Sequence, residues 1–230
     1  MRQIVLDTET TGLNPRNGDR IIEVGCVEMI NRKLTGNNFH QYINPERDSD
    51  PRALEVHGLT TEFLSDKPKF ADIAERLSDY IQGAEVIIHN APFDLGFLDA
   101  EYEKLQLASF TSQIATVIDT LVKAKEIFPG KRNSLDALCD RFGISNAHRQ
   151  LHGALLDSEL LAEVYLAMSR GQNSFVIDEP ETPTQQSDAA SVALIKSILI
   201  RTANQDELAS HQQLLAGLAK SGKCIWPSET

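Results

Sequence analysis

The chain alternates short apolar runs with longer stretches of helical spacing. Residues 2–7 (RQIVLD) predict a short buried strand, and Thr10-Thr11-Gly12 with Asn14-Pro15 signal the turn after it. Residues 20–30 (RIIEVGCVEMI) and 38–43 (NFHQYI) predict two more strands, with 31–37 as their hairpin connection. Phe70, Ile73, Ala74, Leu77, Tyr80 and Ile81 recur at helical spacing across 70–82, and Gly83 stops that helix. Residues 84–89 (AEVIIH) predict a buried strand. Asn90 and Pro92 then open a helix that runs to about Gln106. Residues 114–118 (IATVI) predict a fifth strand. Helices at 119–128 and 134–142 follow, separated by Pro129-Gly130 and ended by Gly143. A long helix is predicted over 153–169. Three adjacent strands followed by alternating helices and strands predict an α/β domain with a mixed central sheet flanked by helices.

That domain is expected to end near Gly171. Residues 178–188 (DEPETPTQQSD) hold no aliphatic or aromatic side chain, which is linker composition. Helical spacing returns at 190–201 and 205–219. The organisation read from this is a domain over 1–171, a short segment 172–177, a linker over 178–190 and a helical tail over 191–230. No apolar run approaches the roughly 20 residues of a membrane span. Ile4-Val5-Leu6 runs straight into Asp7, unlike a signal peptide, so a cytoplasmic protein is expected. Cys26, Cys139 and Cys224 are odd in number and far apart, which suggests neither a disulfide framework nor a zinc site. A net charge of −11 argues against a protein that holds nucleic acid by charge alone. A nuclease of this charge would bind DNA weakly unless a partner delivered the strand.

Asp7-x-Glu9 lies at the end of the first strand, and residues i and i+2 of a strand share a face. Two acids so placed repel unless a cation sits between them, and oxygen-only ligation suits Mg²⁺ or Mn²⁺. The plainer alternative is two solvated acids in a loop. Asp94 falls in the first turn of the helix after the strand AEVIIH, where interaction with the helix dipole would also explain it. His152 and Asp157 would stand about 140° apart on one continuous helix. They converge only if His152 precedes the helix and Gly153 turns the chain; otherwise they are a capping histidine and an exposed acid. Asp119 reads as a helix cap rather than a ligand. Lys131-Arg132 is a candidate phosphate contact or a merely solvated pair.

The order D-x-E, a later Asp at a strand-to-helix turn, then H-x₄-D resembles the DEDDh 3′→5′ exonuclease superfamily. The stretches RQIVLDTETTG (2–12), RKLTGNNFH (32–40), VIIHNAPFDLGF (86–97), FPGKRNSLDALC (128–139) and LHGALLDSELLAEVYLAM (151–168) resemble its proofreading branch, which serves bacterial replicative polymerases. The resemblance implies a ribonuclease H-like fold over 1–171. It implies two divalent metal ions held by Asp7, Glu9, Asp94 and Asp157, with His152 as general base. It places Asp7, Glu9, Thr10, Gly12, His57, Phe93 and Asp157 at the terminal nucleotide. Arg52 falls in the same group, although related chains can carry an acid there. The expected partners are a DNA 3′ end, the polymerase catalytic subunit through 191–230 and a small accessory subunit on the exonuclease domain. Gln172, Phe175 and Ile177 resemble the short motif that enters the apolar pocket of a sliding clamp. The alternatives are an RNA-trimming enzyme, an inactive binding module of the same fold, and a purely structural polymerase accessory.

Overall fold

A computed structural model of the chain describes residues 1–146, 151–170 and 204–221. The chain divides into two units, Met1–Asp178 and Glu179–Thr230. In the first, β1 (Arg2–Thr10) is followed by β2 (Ile21–Ile30), β3 (Lys33–Leu34) and β4 (Phe39–Tyr42). Helices α1 (Pro51–His57), α2 (Thr61–Leu64) and α3 (Phe70–Ile81) precede β5 (Glu85–Ile88) and α4 (Ala91–Lys104). Then come α5 (Phe110–Gln113), β6 (Thr116–Asp119), α6 (Thr120–Ile127), α7 (Leu135–Phe142) and α8 (Ala154–Arg170). In the second unit the described element is α9 (Gln205–Ser221). The clamp-like segment 172–177, the linker 178–190 and the helix expected at 190–201 lie outside the described residues. No helix among those residues is long and apolar enough to cross a membrane.

The strand order is β3-β2-β1-β5-β6, with β4 also paired to β2. β2 runs antiparallel to β1, β3 and β4, while β1, β5 and β6 are parallel, so the sheet is mixed as the element pattern predicted. Alternation along each strand sorts the two faces. Ile4, Leu6, Val24, Cys26, Val86 and Ile88 pack with the inner residues of α3 and α4. Val5, Val27, Met29 and Ile87 face Leu161, Ala162 and Tyr165 of α8. Asp7 and Glu9 continue the parity of Val5 and so belong to the α8 face, at the carboxyl ends of the parallel strands. Open α/β sheets build their sites at that edge.

The structure departs from the sequence expectation in five places. Strand β1 continues through Thr10, because Thr8, Glu9 and Thr10 pair with Val24, Glu23 and Ile21 across an irregularity. Strand β3 occupies part of the expected connection. Helices α1, α2 and α5 have no counterpart in the periodicity. Of these, α1 carries its own punctuation: Asp50 caps it, Pro51 opens it and left-handed Gly58 closes it. Its sole buried residue is His57, with Leu54 and Val56 partly exposed, so no apolar stripe marks it.

One glycine fixes how close α8 comes to the sheet. Gly25 lies opposite Asp7 in the β1–β2 ladder. A Cβ there would fall inside the van der Waals radii of the Ala154 carbonyl and the Leu155 nitrogen. The first turn of α8 therefore rests directly on the β2 backbone. Ser158 Oγ secures it by donating to the Gly25 carbonyl at 2.9 Å, fully buried. Gly25→Ala is expected to push the helix start away and destabilise the domain by about 1–3 kcal/mol, measured by urea unfolding. Unchanged stability would mean that α8 does not need this contact.

Candidate active site

The carboxyl end of β1 opens into a cleft of about 490 Å³. Asp7, Glu9, Phe93, Asp94, His152 and Asp157 line it, together with Thr8, His89, Ser134, Leu135 and Asp136. The four acids arrive on three supports. Asp7 and Glu9 stand on one face of β1. Asp94 stands in the first turn of α4, which leaves β5 through Asn90 in the left-handed conformation (φ 69°). Asp157 stands in the first turn of α8. His152 precedes that helix, so Gly153 brings it back over Asp157, and its Nδ1 lies 3.3 Å from Asp157 Oδ2. One ligand atom each from Glu9, His152 and Asp157 falls within 4.8 Å of the others. Carboxylate-rich donors this close suit a hard divalent cation, so the residues fit the metal that the exonuclease pattern implies.

Asp94 is 3% exposed, and its Oδ1 accepts from the Thr8 amide at 3.0 Å and the Thr8 hydroxyl at 2.7 Å. Burial pushes its carboxyl up to about 7; the Thr8 bonds oppose the rise and nearby Asp119 adds to it. Asp119 is a shared cap. Its carboxylate accepts from Leu121 and Val122 at the start of α6 and from Asn90 and Ala91 at the start of α4. His89, at the end of β5, is hydrogen-bonded through Nδ1 to the Thr120 hydroxyl at 2.9 Å. Burial lowers its pKa, against the pull of Asp119.

Not every residue expected at the nucleotide lines this cleft. Gly12 and Arg52 line a neighbouring cavity of about 530 Å³ with Leu13, Asp19, Arg47 and Asp50. The close approach that Gly12 permits is to the Asp19 carboxylate. Thr10 is buried and donates its hydroxyl to the Gly12 carbonyl at 2.6 Å. His57 is 3% exposed, and its Nδ1 accepts from the Leu59 amide at 3.0 Å. That bond leaves Nε2 as the protonated nitrogen, and it has no partner among the described residues. Burial lowers the His57 pKa, with Glu23 opposing.

Several site residues escaped sequence reasoning. Thr8 lies between the two acids on the opposite parity, and that parity aims it at Asp94. Gly25 and Ser158 support the site through backbone contact, which residue type alone does not signal. Ser134, Leu135 and Asp136 reach the cleft only through the tertiary placement of α7.

The chain matches the sequence model of the exonuclease family over residues 4–165. It is 54% identical to the DNA polymerase III subunit epsilon of Pasteurella multocida (strain Pm70), across 98% of this chain and 93% of that one. It is 50% identical to the subunit of the same name from Escherichia coli (strain K12), across 98% and 97%. Among solved structures it is similar to exonuclease X in complex with 5′-overhanging duplex DNA. There the TM-score is 0.58, the identity 24%, and the match covers 74% of this chain and 93% of that one. It is also similar to the zinc-bound form of the E. coli ExoI–ssDNA complex, with TM-score 0.65, 17% identity and 75% and 41% coverage. At these identities the structural likeness establishes the fold, a ribonuclease H-like exonuclease domain.

The raised Asp94 carboxyl has a thermodynamic consequence. Its folded value of about 7 exceeds the ordinary unfolded value of about 3.9. Between those values the folded protein holds a proton that the unfolded chain does not. This contribution is therefore complete below about pH 4 and is lost as pH rises through about 7. Asp94→Asn removes the dependence. In chelator at pH 8 the variant is expected to be more stable than wild type by about 1–3 kcal/mol, and at pH 5 the gap should shrink. Urea midpoints at the two pH values measure it, and a gap that does not change with pH would disprove the raised value.

Proposed function

The chain belongs to the family of DNA polymerase III epsilon subunits, within the exonuclease group whose model it matches, and on that premise we propose that it is the proofreading 3′→5′ DNA exonuclease of a replicative polymerase. The observation that carries the proposal is the convergence of Glu9, His152 and Asp157 within 4.8 Å in a cleft that Asp7 and Asp94 also line. The reaction is hydrolysis of the last phosphodiester, which releases a nucleoside monophosphate. Asp7, Glu9, Asp94 and Asp157 would hold two divalent ions, Mg²⁺ or Mn²⁺. Such ions supply Lewis-acid stabilisation of phosphate charge and make bound water more acidic. Asp157 orients the His152 ring through Nδ1, so Nε2 is the nitrogen that takes the proton of the attacking water. Phe93 offers an apolar face to the terminal sugar or base. Arg52, Gly12, Thr10 and His57 are proposed contacts to the same nucleotide or the one behind it. The reaction reads no base, yet mispaired ends fray more readily and reach the cleft more often.

The proposed partners follow the same reading. Residues 191–230 would dock on the polymerase III catalytic subunit, Gln172, Phe175 and Ile177 on the sliding clamp, and a small accessory subunit on the exonuclease domain. Helix α9 exposes Leu208 (51%) and Leu214 (63%), apolar surface that suits a partner. The setting would be the cytoplasm.

Degradation of a labelled single-stranded DNA, with RNA alongside, tests the activity. The expected result is 3′→5′ shortening of DNA that stops in excess chelator. Asp7→Ala should lose about 10²–10³-fold or more in turnover while remaining folded. Near-normal cleavage by Asp7→Ala, or in chelator, would exclude the metal-dependent assignment. Faster cleavage of RNA would favour the trimming alternative.

A truncation after Pro180 tests the tail. It should keep activity on free single strands and lose co-elution with the polymerase subunit. Gln172→Ala with Phe175→Ala should weaken capture by purified clamp. Wild-type co-elution of the truncated chain would move the docking surface to the catalytic domain.

A further inference from the structure

The ring of the proposed general base meets Asp157, but the placement of that ring also depends on its backbone. His152 is 43% exposed. Its backbone is anchored as well. The His152 amide donates to the Val56 carbonyl, near the end of α1, at 3.1 Å. The preceding residue, Leu151, lies against Gly58, the left-handed cap of the same helix (φ 71°). A Cβ at Gly58 would stand 2.5 Å from Leu151 Cδ1, so the leucine occupies the space that the glycine leaves. On the other side of the tripeptide, Gly153 faces buried Glu23 and Ala154 rests on Gly25. Leu151–His152–Gly153 is thus clamped between the end of α1 and strand β2. The β2 side includes the Glu23 side chain at Gly153 and the backbone packing of Ala154 on Gly25, and the α1 side includes the Val56 hydrogen bond and the apolar contact at Gly58.

We propose that Gly58 and Leu151 are positioning residues that seat His152 over Asp157 by latching its segment to α1. The proposal rests on His152 being the base. Leu151 itself is 52% exposed, so little apolar area is lost when it is truncated. Its removal should cost little fold stability. A base displaced by about an ångström, in contrast, loses on the order of a hundredfold in rate. The same helix end carries His57, so a strand that contacts α1 also bears on the element that holds the base.

The test uses the full chain with a single-stranded DNA oligonucleotide at saturating Mg²⁺ and compares kcat, KM, metal affinity and melting temperature. Leu151→Ala is expected to lower kcat about tenfold to a hundredfold, with KM and metal affinity within about twofold of wild type. Leu151→Met, which refills the contact, should restore most of kcat. Gly58→Ala should lower kcat in the same way. The double variant should be no slower than the slower single one, because both changes break one contact. Wild-type kcat in Leu151→Ala and Gly58→Ala, or losses that multiply in the double variant, would overturn the latch. If Gly58→Ala fails to fold, Leu151→Ala and its rescue by Leu151→Met still decide. His152→Ala is run in parallel. If it keeps wild-type turnover, the assignment of the base fails; if it is inactive while the latch variants are normal, the latch alone fails.

Discussion

The cost of gathering carboxyl groups out of water at the end of β1 is the constraint that the rest of the domain answers to. Asp7, Glu9, Asp94 and Asp157 line one cleft, and Asp94 and Asp157 are each 3% exposed. Like charges drawn together out of water raise the free energy of the folded chain. The chain tolerates this because the four acids stand on three rigid supports, β1, α4 and α8, so no single element relaxes to spread them all apart. Thr8 shows the local compensation: its amide and hydroxyl both bond Asp94, although burial still outweighs them and keeps that carboxyl raised. Cations that favour the charged form would reverse that balance, so in the proposed site the cost met on folding would become affinity for metal.

The support for Asp157 is the most demanding of these. An acid on a helix reaches a strand-borne site only if the helix start nearly touches the sheet. Gly25 makes that approach possible, and Ser158 uses its hydroxyl to fix it through the Gly25 carbonyl. Further along, Leu161, Ala162 and Tyr165 bury α8 against Val5, Val27 and Ile87. Apolar packing thus holds the far part of the helix, while backbone proximity sets its catalytic end. The two tasks fall on different residues, and a change at Gly25 therefore moves the site in a way that a change at Leu161 does not.

The elements with a strong apolar period were legible before the fold was known. Helix α3 has its five buried residues at helical spacing and ends where Gly83 predicts. Helix α1 was not legible, because it buries only His57 and is defined by its caps. Of the site, Asp7 and Glu9 could be placed on one face from parity alone. The meeting of His152 with Asp157 depended on where α8 starts, and Ala154 as its first residue is what brings them together. The separation of Gly12 and Arg52 into a second cavity was beyond any spacing argument. It follows from the turn after β1 and the cap of α1, elements whose relative placement is tertiary.

An acidic chain that acts on a polyanion poses a last problem, and the proposed tether answers it. Non-specific binding to DNA comes from cations that neutralise phosphates, and typical constants are about 10⁻⁴–10⁻⁶ M at physiological salt. On charge alone, a chain of net charge −11 would stand on the weak side of that range. A flexible linker between docked modules supplies an effective concentration on the order of millimolar, enough to fill even a weak site part of the time. Strong intrinsic affinity would be a disadvantage here. It would hold correctly paired ends in the cleft and spend new DNA, whereas weak affinity lets the fraying of the end decide which strands are cut. On the proposed reading, the acids that would hold the metal and the acids that set the net charge work in one direction: the site would act on ends that reach it, and arrival would be left to the partner and to the stability of the terminal base pair.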